Sequence, residues 1–184
     1  MLDVIPTAIP DVKVLLPKTF GDGRGNFTET YNAARFAEHG ITLQFVQDNQ
    51  SWSAPAGTIR GLHFQSRPKA QDKLVRVLRG RILDVAVDLR RASPTYGKWV
   101  AEELSAQNRK QLLVPVGFAH GFCTLEPDTE VLYKVTDFYS PANDFGIAWD
   151  DPDLAITWPV TKDEAVLSEK DTRQPAFRSL PAFF

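Results

Sequence analysis

Hydrophobic side chains recur at every second position in the stretch 82–89, and Asp84 and Asp88 share the other face. A period of two predicts a β-strand, because successive side chains of a strand point to opposite sides. The hydrophobic run 74–78 precedes this stretch and is joined to it by the tripeptide Arg79-Gly80-Arg81. A short connection that contains glycine is of hairpin type, so we expect these two strands to pair.

Short strand-like runs recur elsewhere, separated by segments rich in proline, glycine, asparagine and serine. The clearest of them are 45–47, 112–114 and 131–135. Because many short strands at short spacing are typical of sandwiches and barrels, the pattern predicts an all-β fold.

Helical patterning is confined to short segments. Asn32 to Gly40 predicts an α-helix, with Asn32 as its N-cap, Phe36 on its apolar face and Gly40 just past its end. The stretch 161–171 predicts one or two further helical turns.

Composition narrows the class of protein. The chain has 184 residues and is 43% hydrophobic, which predicts one domain with a substantial core. The formal net charge is −2 with both signs interspersed, so we expect neither a nucleic-acid partner nor a membrane partner. The N-terminal stretch has no basic region followed by a long apolar run, so we expect a cytoplasmic protein. The single cysteine, Cys123, lies in an apolar run and is expected to be a core residue.

Two of the three histidines lie in glycine-bounded apolar segments that are expected to be paired strands. The spacing from Gly57 to His63 and Gln65, and the spacing from Pro115 to His120, follow the two half-motifs of cupin barrels. Gln65 occupies the place of a second histidine ligand and no glutamate follows closely, which argues against a metal site. We therefore expect a pocket whose imidazoles are free to carry protons.

A series of motifs in this order and spacing resembles the dTDP-4-dehydrorhamnose 3,5-epimerase family over roughly residues 18–171. The motifs that carry the resemblance are FGDGRG at 20–25, FVQDN at 45–49, RGLH at 60–63, QDKLVR at 71–76, DVAVD at 84–88, GFAHGF at 117–122, YK at 133–134 and WDDP at 149–152.

The resemblance implies a double-stranded β-helix, which is a cupin-like jelly roll, with a few short helices. It implies an isomerase without metal or cofactor that inverts C3 and C5 of dTDP-4-dehydro-6-deoxy-D-glucose to give dTDP-4-dehydro-L-rhamnose. It also implies a homodimer, with N-terminal strands at about 1–47 contributing to the dimer and short C-terminal helices at about 160–184.

Inversion next to a ketone requires a base, a group that stabilises the enolate, and an acid that returns a proton to the opposite face. The resemblance assigns these parts to His63, Lys73 and Tyr133, and it implies that Asp171 orients the imidazole. Without the resemblance, the sequence does not pair His63 with Asp171.

A sugar nucleotide also needs groups for its phosphates and base. The resemblance implies that Tyr139 stacks on thymine and that the strand from Arg24 to Glu29 reaches the site of a neighbouring subunit. By resemblance the substrate-binding residues are Arg24, Phe27, Glu29, Gln47, Asp48, Asn49, Arg60, His120, Tyr139, Asp144 and Lys170.

Some assignments stay open at this point. His120 either contacts the substrate or mainly bonds Asp84 or a phosphate. Gln50 and Trp52 stand where relatives often carry histidine and arginine, and Asp144 stands where they usually carry glutamate, so base contacts and the pocket rim are less determined. Three alternative functions also remain: an epimerase that inverts one centre only, a metal-dependent cupin oxygenase, and a non-catalytic binder of sugar nucleotides.

Overall fold

The computed structural model of the protein describes residues 2–184 as mostly β-structure with one short α-helix. The first strands are β1 (Leu2–Pro6), β2 (Lys13–Pro17), β3 (Thr19–Asp22), β4 (Gly25–Thr28), β5 (Gln47–Ser53), β6 (Ile59–Gln65) and β7 (Lys73–Arg79). The remaining strands are β8 (Arg81–Asp88), β9 (Trp99–Ser105), β10 (Gln111–Val114), β11 (Phe118–Thr124), β12 (Thr129–Val135) and β13 (Asp144–Gly146).

Two antiparallel sheets face each other across a shared core. The six-stranded sheet has the order β1-β2-β10-β7-β12-β5, and the five-stranded sheet has the order β13-β6-β11-β8-β9. The core between them takes Val75 and Val131 from the first sheet and Ala86, Leu104 and Phe122 from the second. The inward faces of both sheets therefore bury apolar side chains, as in a jelly roll.

The predicted pairing of 74–78 with 82–89 is wrong, although both strands exist. Strand β7 pairs with β10 and β12, whereas β8 pairs with β11 and β9 in the other sheet. The connection through Gly80, whose φ is +78°, carries the chain from one sheet to the facing one. A short glycine turn looks the same in sequence whether it joins paired strands or facing sheets.

The predicted N-terminal helix is confirmed but is shorter than expected. Helix α1 spans Ala33–Ala37, and the side chain of Asn32 accepts hydrogen bonds from the backbone N–H groups of Ala34 and Arg35. Gly40 follows with a φ of +74°. The buried Phe36 packs with Leu15 and Leu74 on the outer face of the six-stranded sheet.

The C-terminal part of the chain contains short 3₁₀ turns. They span Asp171–Arg173 and Phe177–Ser179, so helical structure within 161–171 begins only at the last residue of that predicted segment. In residues 2–184, no helix is long and apolar enough to cross a membrane.

Strands β3 and β4 form a separate ribbon that pairs with neither main sheet. Phe20 and Phe27 face each other across this ribbon, with 54% and 70% of their surfaces exposed. An isolated two-stranded ribbon is marginally stable in water, and exposed aromatic side chains on it are typical of a surface that another chain covers.

Candidate active site

A cavity of about 330 Å³ opens between the two sheets. It contains the side chains that were expected to be catalytic and most of those expected to bind substrate. The predicted residues that line it are Gln47, Asn49, Arg60, His63, Lys73, His120, Tyr133, Tyr139, Asp144, Lys170 and Asp171.

His63 lies on β6 and is paired with Asp171 from the C-terminal segment. The two residues are 108 positions apart in sequence, yet Nε2 of His63 lies 2.5 Å from Oδ1 of Asp171. Asp171 is buried, whereas the His63 side chain is 27% exposed toward the cavity. Because the carboxylate engages Nε2, the second ring nitrogen is left to act on a ligand.

The charge of Asp171 is balanced by several partners. Burial acts to raise the pKa of its carboxyl, but the hydrogen bond and charge of His63, a hydrogen bond from Ser168 and the charge of Lys170 outweigh burial. The pKa is therefore lowered, and the carboxylate stays ionised beside the imidazole.

Lys73 begins β7 and is buried in the cavity wall. Its ammonium donates a hydrogen bond to the backbone carbonyl of His63 at 3.2 Å. Burial lowers its pKa to about 8, while the charges of Asp144 and Asp84 partly oppose that effect. Lys73 therefore places a positive charge next to His63 at neutral pH.

Tyr133 reaches the cavity from β12, in the sheet that faces His63. Burial raises the pKa of its phenol, with Arg60 lowering it and Asp144 raising it further. The phenol thus stays protonated near neutral pH and can donate a proton. His63 and Tyr133 approach the cavity from different sheets.

Three residues at the rim form a hydrogen-bonded group. One carboxylate oxygen of Asp144 accepts from Lys170 at 2.5 Å and from the hydroxyl of Tyr139 at 3.0 Å. Asp144, which stands where relatives usually carry glutamate, therefore still reaches both Lys170 and Tyr139. Tyr139 is 57% exposed, so its ring is open to a stacking ligand.

Gln65, which replaces a metal ligand in the cupin half-motif, forms its side-chain hydrogen bonds with backbone groups. Its amide donates to the carbonyls of Lys69 and Phe138 and accepts from the N–H of Ser140. Gln65 thus holds the segment that carries Tyr139. Among the residues that the structure describes, no group of three or more histidine, cysteine, aspartate or glutamate side chains could hold a metal ion. Metal independence stays a prediction.

His120 forms the predicted hydrogen bond with Asp84 and also lines the cavity, while its contact with the substrate stays a prediction. It lies directly across from His63 in the pairing of β11 with β6, and it lines the cavity. Its Nε2 is 2.7 Å from Oδ1 of the fully buried Asp84. The other oxygen of Asp84 has no hydrogen-bond partner among the described residues.

Strand β5 separates the expected substrate residues onto two faces. Gln47 and Asn49 line the cavity, whereas Asp48 lies on the opposite face and pairs with Lys134 at 2.9 Å. Gln50 lies on the same outward face as Asp48. Its amide donates a hydrogen bond to Glu130, and its side chain does not line the cavity.

Trp52 lies on the same outward face and is 58% exposed. The cavity lining omits both Gln50 and Trp52, so these two departures from the family pattern do not alter its wall.

Arg24, Phe27 and Glu29 also lie outside the cavity of their own chain. Arg24 and Phe27 belong to the separate ribbon, and Glu29 follows it. Arg24 bonds Asp22 on the same ribbon and its side chain is 91% exposed.

Sequence reasoning did not identify Gln71, Ser51 and Ser168, which also line the cavity. The signal for Ser168 was present: it stands three positions before Asp171, in an S-x-x-D pattern in which a hydroxyl bonds the acidic side chain.

Comparison with known proteins agrees with this geometry. The sequence model of the dTDP-4-dehydrorhamnose 3,5-epimerase family matches residues 6–179. The chain belongs to this family. The predicted family, the cupin-type fold and the activity of a dTDP-4-dehydrorhamnose 3,5-epimerase in dTDP-L-rhamnose biosynthesis are thereby confirmed.

Individual relatives of this epimerase cover nearly the whole chain. A dTDP-4-dehydrorhamnose 3,5-epimerase of Sinorhizobium fredii is 53% identical over 177 residues, which are 96% of this chain and 90% of that protein. The crystal structure of the Bacillus anthracis enzyme with TDP and PPi bound is 56% identical, covers 96% of this chain and 99% of its own, and has a TM-score of 0.93. The Legionella pneumophila enzyme in complex with dTDP-4-keto-L-rhamnose is 45% identical, covers 99% and 96%, and has a TM-score of 0.94.

Proposed function

We propose that this epimerase inverts C3 and C5 of dTDP-4-dehydro-6-deoxy-D-glucose by two rounds of proton removal and return in the cavity between its sheets. The observation that carries the mechanism is the His63–Asp171 pair, set opposite Tyr133 with Lys73 beside it. No cofactor is assigned, because these side chains supply a base, a cation and an acid.

His63 is the base. Its imidazole removes the proton next to the C4 ketone, and the ionised Asp171 holds the ring and stabilises the imidazolium that forms. Lys73 donates toward the ketone oxygen, where negative charge develops in the enolate. Tyr133 then returns a proton to the other face of the carbon.

The binding residues have separate tasks. The exposed ring of Tyr139 stacks on the nucleotide base, while Arg60 and Lys170 neutralise the diphosphate. Gln47, Asn49 and His120 donate or accept hydrogen bonds deeper in the cavity. Asp48 belongs to this proposal only through its place in the family pattern, since its side chain faces outward.

The decisive test is turnover of the 4-keto sugar nucleotide in deuterated water, with the label read at each carbon. Label at C3 and C5 together with inversion at both supports the proposal. Label at a single carbon favours a single-centre epimerase, and no label at all favours a non-catalytic binder.

Activity is expected to fall as the pH rises through about 8. Lys73 is protonated below its pKa of about 8 and loses its charge above it, so stabilisation of the enolate is present at neutral pH and lost in alkali. The kcat/KM profile should then decline about tenfold for each pH unit above that value.

Lys73→Arg is the matched variant for this profile, because a guanidinium keeps its charge throughout the range. Its residual activity should show no decline near pH 8. If kcat/KM of that variant still declined above pH 8, the decline would be caused by a group other than Lys73.

We propose that the enzyme acts as a homodimer. The ribbon of β3 and β4 exposes Phe20 and Phe27 and carries Arg24 outside its own cavity, which suits a ribbon that inserts beside the cavity of a second copy.

Light scattering should therefore report a dimer at assay concentration, and Phe27→Asp should weaken association and activity together. A fully active monomer would contradict this assignment.

We further propose that residues 1–184 act as one domain, with residues 1–47 contributing to the dimer and short turns at 160–184 completing the site. We also propose that the enzyme works in the cytoplasm.

A further inference from the structure

We propose that Ser168 is a positioning residue of this epimerase, which acts on His63 through Asp171. The inference rests on the proposed function, because it requires His63 to be the base. It assigns a role to a hydroxyl outside the four expected catalytic groups.

The two oxygens of Asp171 have one side-chain partner each. Oδ1 meets Nε2 of His63 at 2.5 Å, and Oδ2 accepts a hydrogen bond from Oγ of Ser168 at 2.7 Å. The backbone N–H of Asp171 donates back to the same Oγ at 3.2 Å. This reciprocal pair fixes the carboxylate in rotation, so that Oδ1 stays directed at the imidazole.

The hydroxyl also affects the charge of the carboxylate. Asp171 is 4% exposed, so an oxygen without a donor would be both desolvated and more basic. Ser168 supplies that donor and is one of the groups that lower the pKa of Asp171. During catalysis the proton taken from the substrate therefore stays on the imidazole and does not pass to the carboxylate.

Other charged and titratable groups surround the pair and remain the same in every variant used below. They are Arg60 on β6, Lys73 on β7, His120 on β11, Tyr133 on β12, Tyr139 before β13, Asp144 on β13 and Lys170 beside Asp171.

The chain contains a matched control of the same local pattern. In Thr161-x-x-Glu164, Oγ1 of Thr161 donates to Oε2 of Glu164 at 2.8 Å, and the N–H of Thr161 donates to the same oxygen at 2.9 Å. This turn is exposed and does not line the cavity. Thr161→Ala thus removes an equivalent hydroxyl from the same region without touching the His63–Asp171 pair.

Ser168→Ala is expected to lower kcat roughly 10- to 100-fold, the order for losing a hydrogen bond to a charged group, while KM changes less than about twofold. The more basic carboxylate holds the imidazolium proton to higher pH, so the acidic limb of the kcat/KM profile should move upward. When the ring ¹⁵N resonances of His63 are followed against pH without substrate, the midpoint of their change should also move to higher pH.

Ser168→Thr keeps the hydroxyl, and the exposed position leaves space for its methyl group. This variant should restore both kcat and the acidic limb, and Thr161→Ala should leave both unchanged. In an Asp171→Ala background, Ser168→Ala should change kcat by less than about twofold, because its only route to His63 is gone.

A rise in KM with an unmoved acidic limb would overturn the inference and assign Ser168 to substrate binding. If Ser168→Ala lost thermal stability while kcat and the ¹⁵N titration of His63 stayed unchanged, the inference would be overturned and Ser168 would only stabilise the turn. If His63→Ala abolishes exchange while Ser168→Ala behaves as wild type, only this inference fails. If His63→Ala keeps exchange, the proposed function itself fails.

Discussion

Replacing His63 with alanine is expected to lower solvent exchange and epimerisation together, with kcat/KM falling by about 10²–10⁴-fold. The variant loses the base, and it leaves the buried Asp171 without the imidazole that it orients. Deuterium incorporation and product formation, followed in one reaction by NMR, measure both losses together.

His39→Ala is the matched control, because His39 is exposed after helix α1 and does not line the cavity. That variant should retain full activity. Near-normal exchange in His63→Ala would place the base elsewhere, and His120, across the strand pair, would be the next residue to test.

Tyr133→Phe is expected to separate isotope exchange from inversion, which occur together in wild-type turnover. The ring still fills its place on β12, but the hydroxyl that returns the proton is absent. His63 should still remove the proton beside Lys73, so deuterium enters the substrate, whereas inversion falls by about 10²-fold or more. The measurement is the ratio of exchange to inversion at C3 and at C5.

Tyr96→Phe removes a phenol outside the cavity, where the ring packs on Phe177. It should leave the exchange ratio unchanged. If exchange and inversion fall equally in Tyr133→Phe, by the modest factor expected from a lost hydrogen bond of about 1 kcal/mol, the phenol supports the strand and is not the donor.

The sequence predicted the strands better than it predicted their partners. Alternation identified 82–89 as a strand because side-chain direction is a local property. It did not reveal that Gly80 joins two facing sheets, since sheet membership depends on contacts with β11 and β12, which lie far along the chain.

The site shows the same limit. His63 and His120 stand out because glycine-bounded apolar strands contain them, and the structure pairs them directly. Asp171 comes from a turn 108 residues beyond His63, and no periodicity links the two. Asp48 was grouped with Gln47 and Asn49 by motif, although the period of two sends its side chain to the opposite face.

In the proposed mechanism, the base and the acid belong to different layers of the same sandwich. Inversion then requires no rotation of the sugar, because one layer removes the proton and the other returns it. The distance between the layers is set by core residues such as Leu104 and Val75, which do not line the cavity. We therefore expect repacking of these residues to produce an enzyme that exchanges isotope normally but scrambles configuration. Stereochemical fidelity in this fold would then be a property of hydrophobic packing.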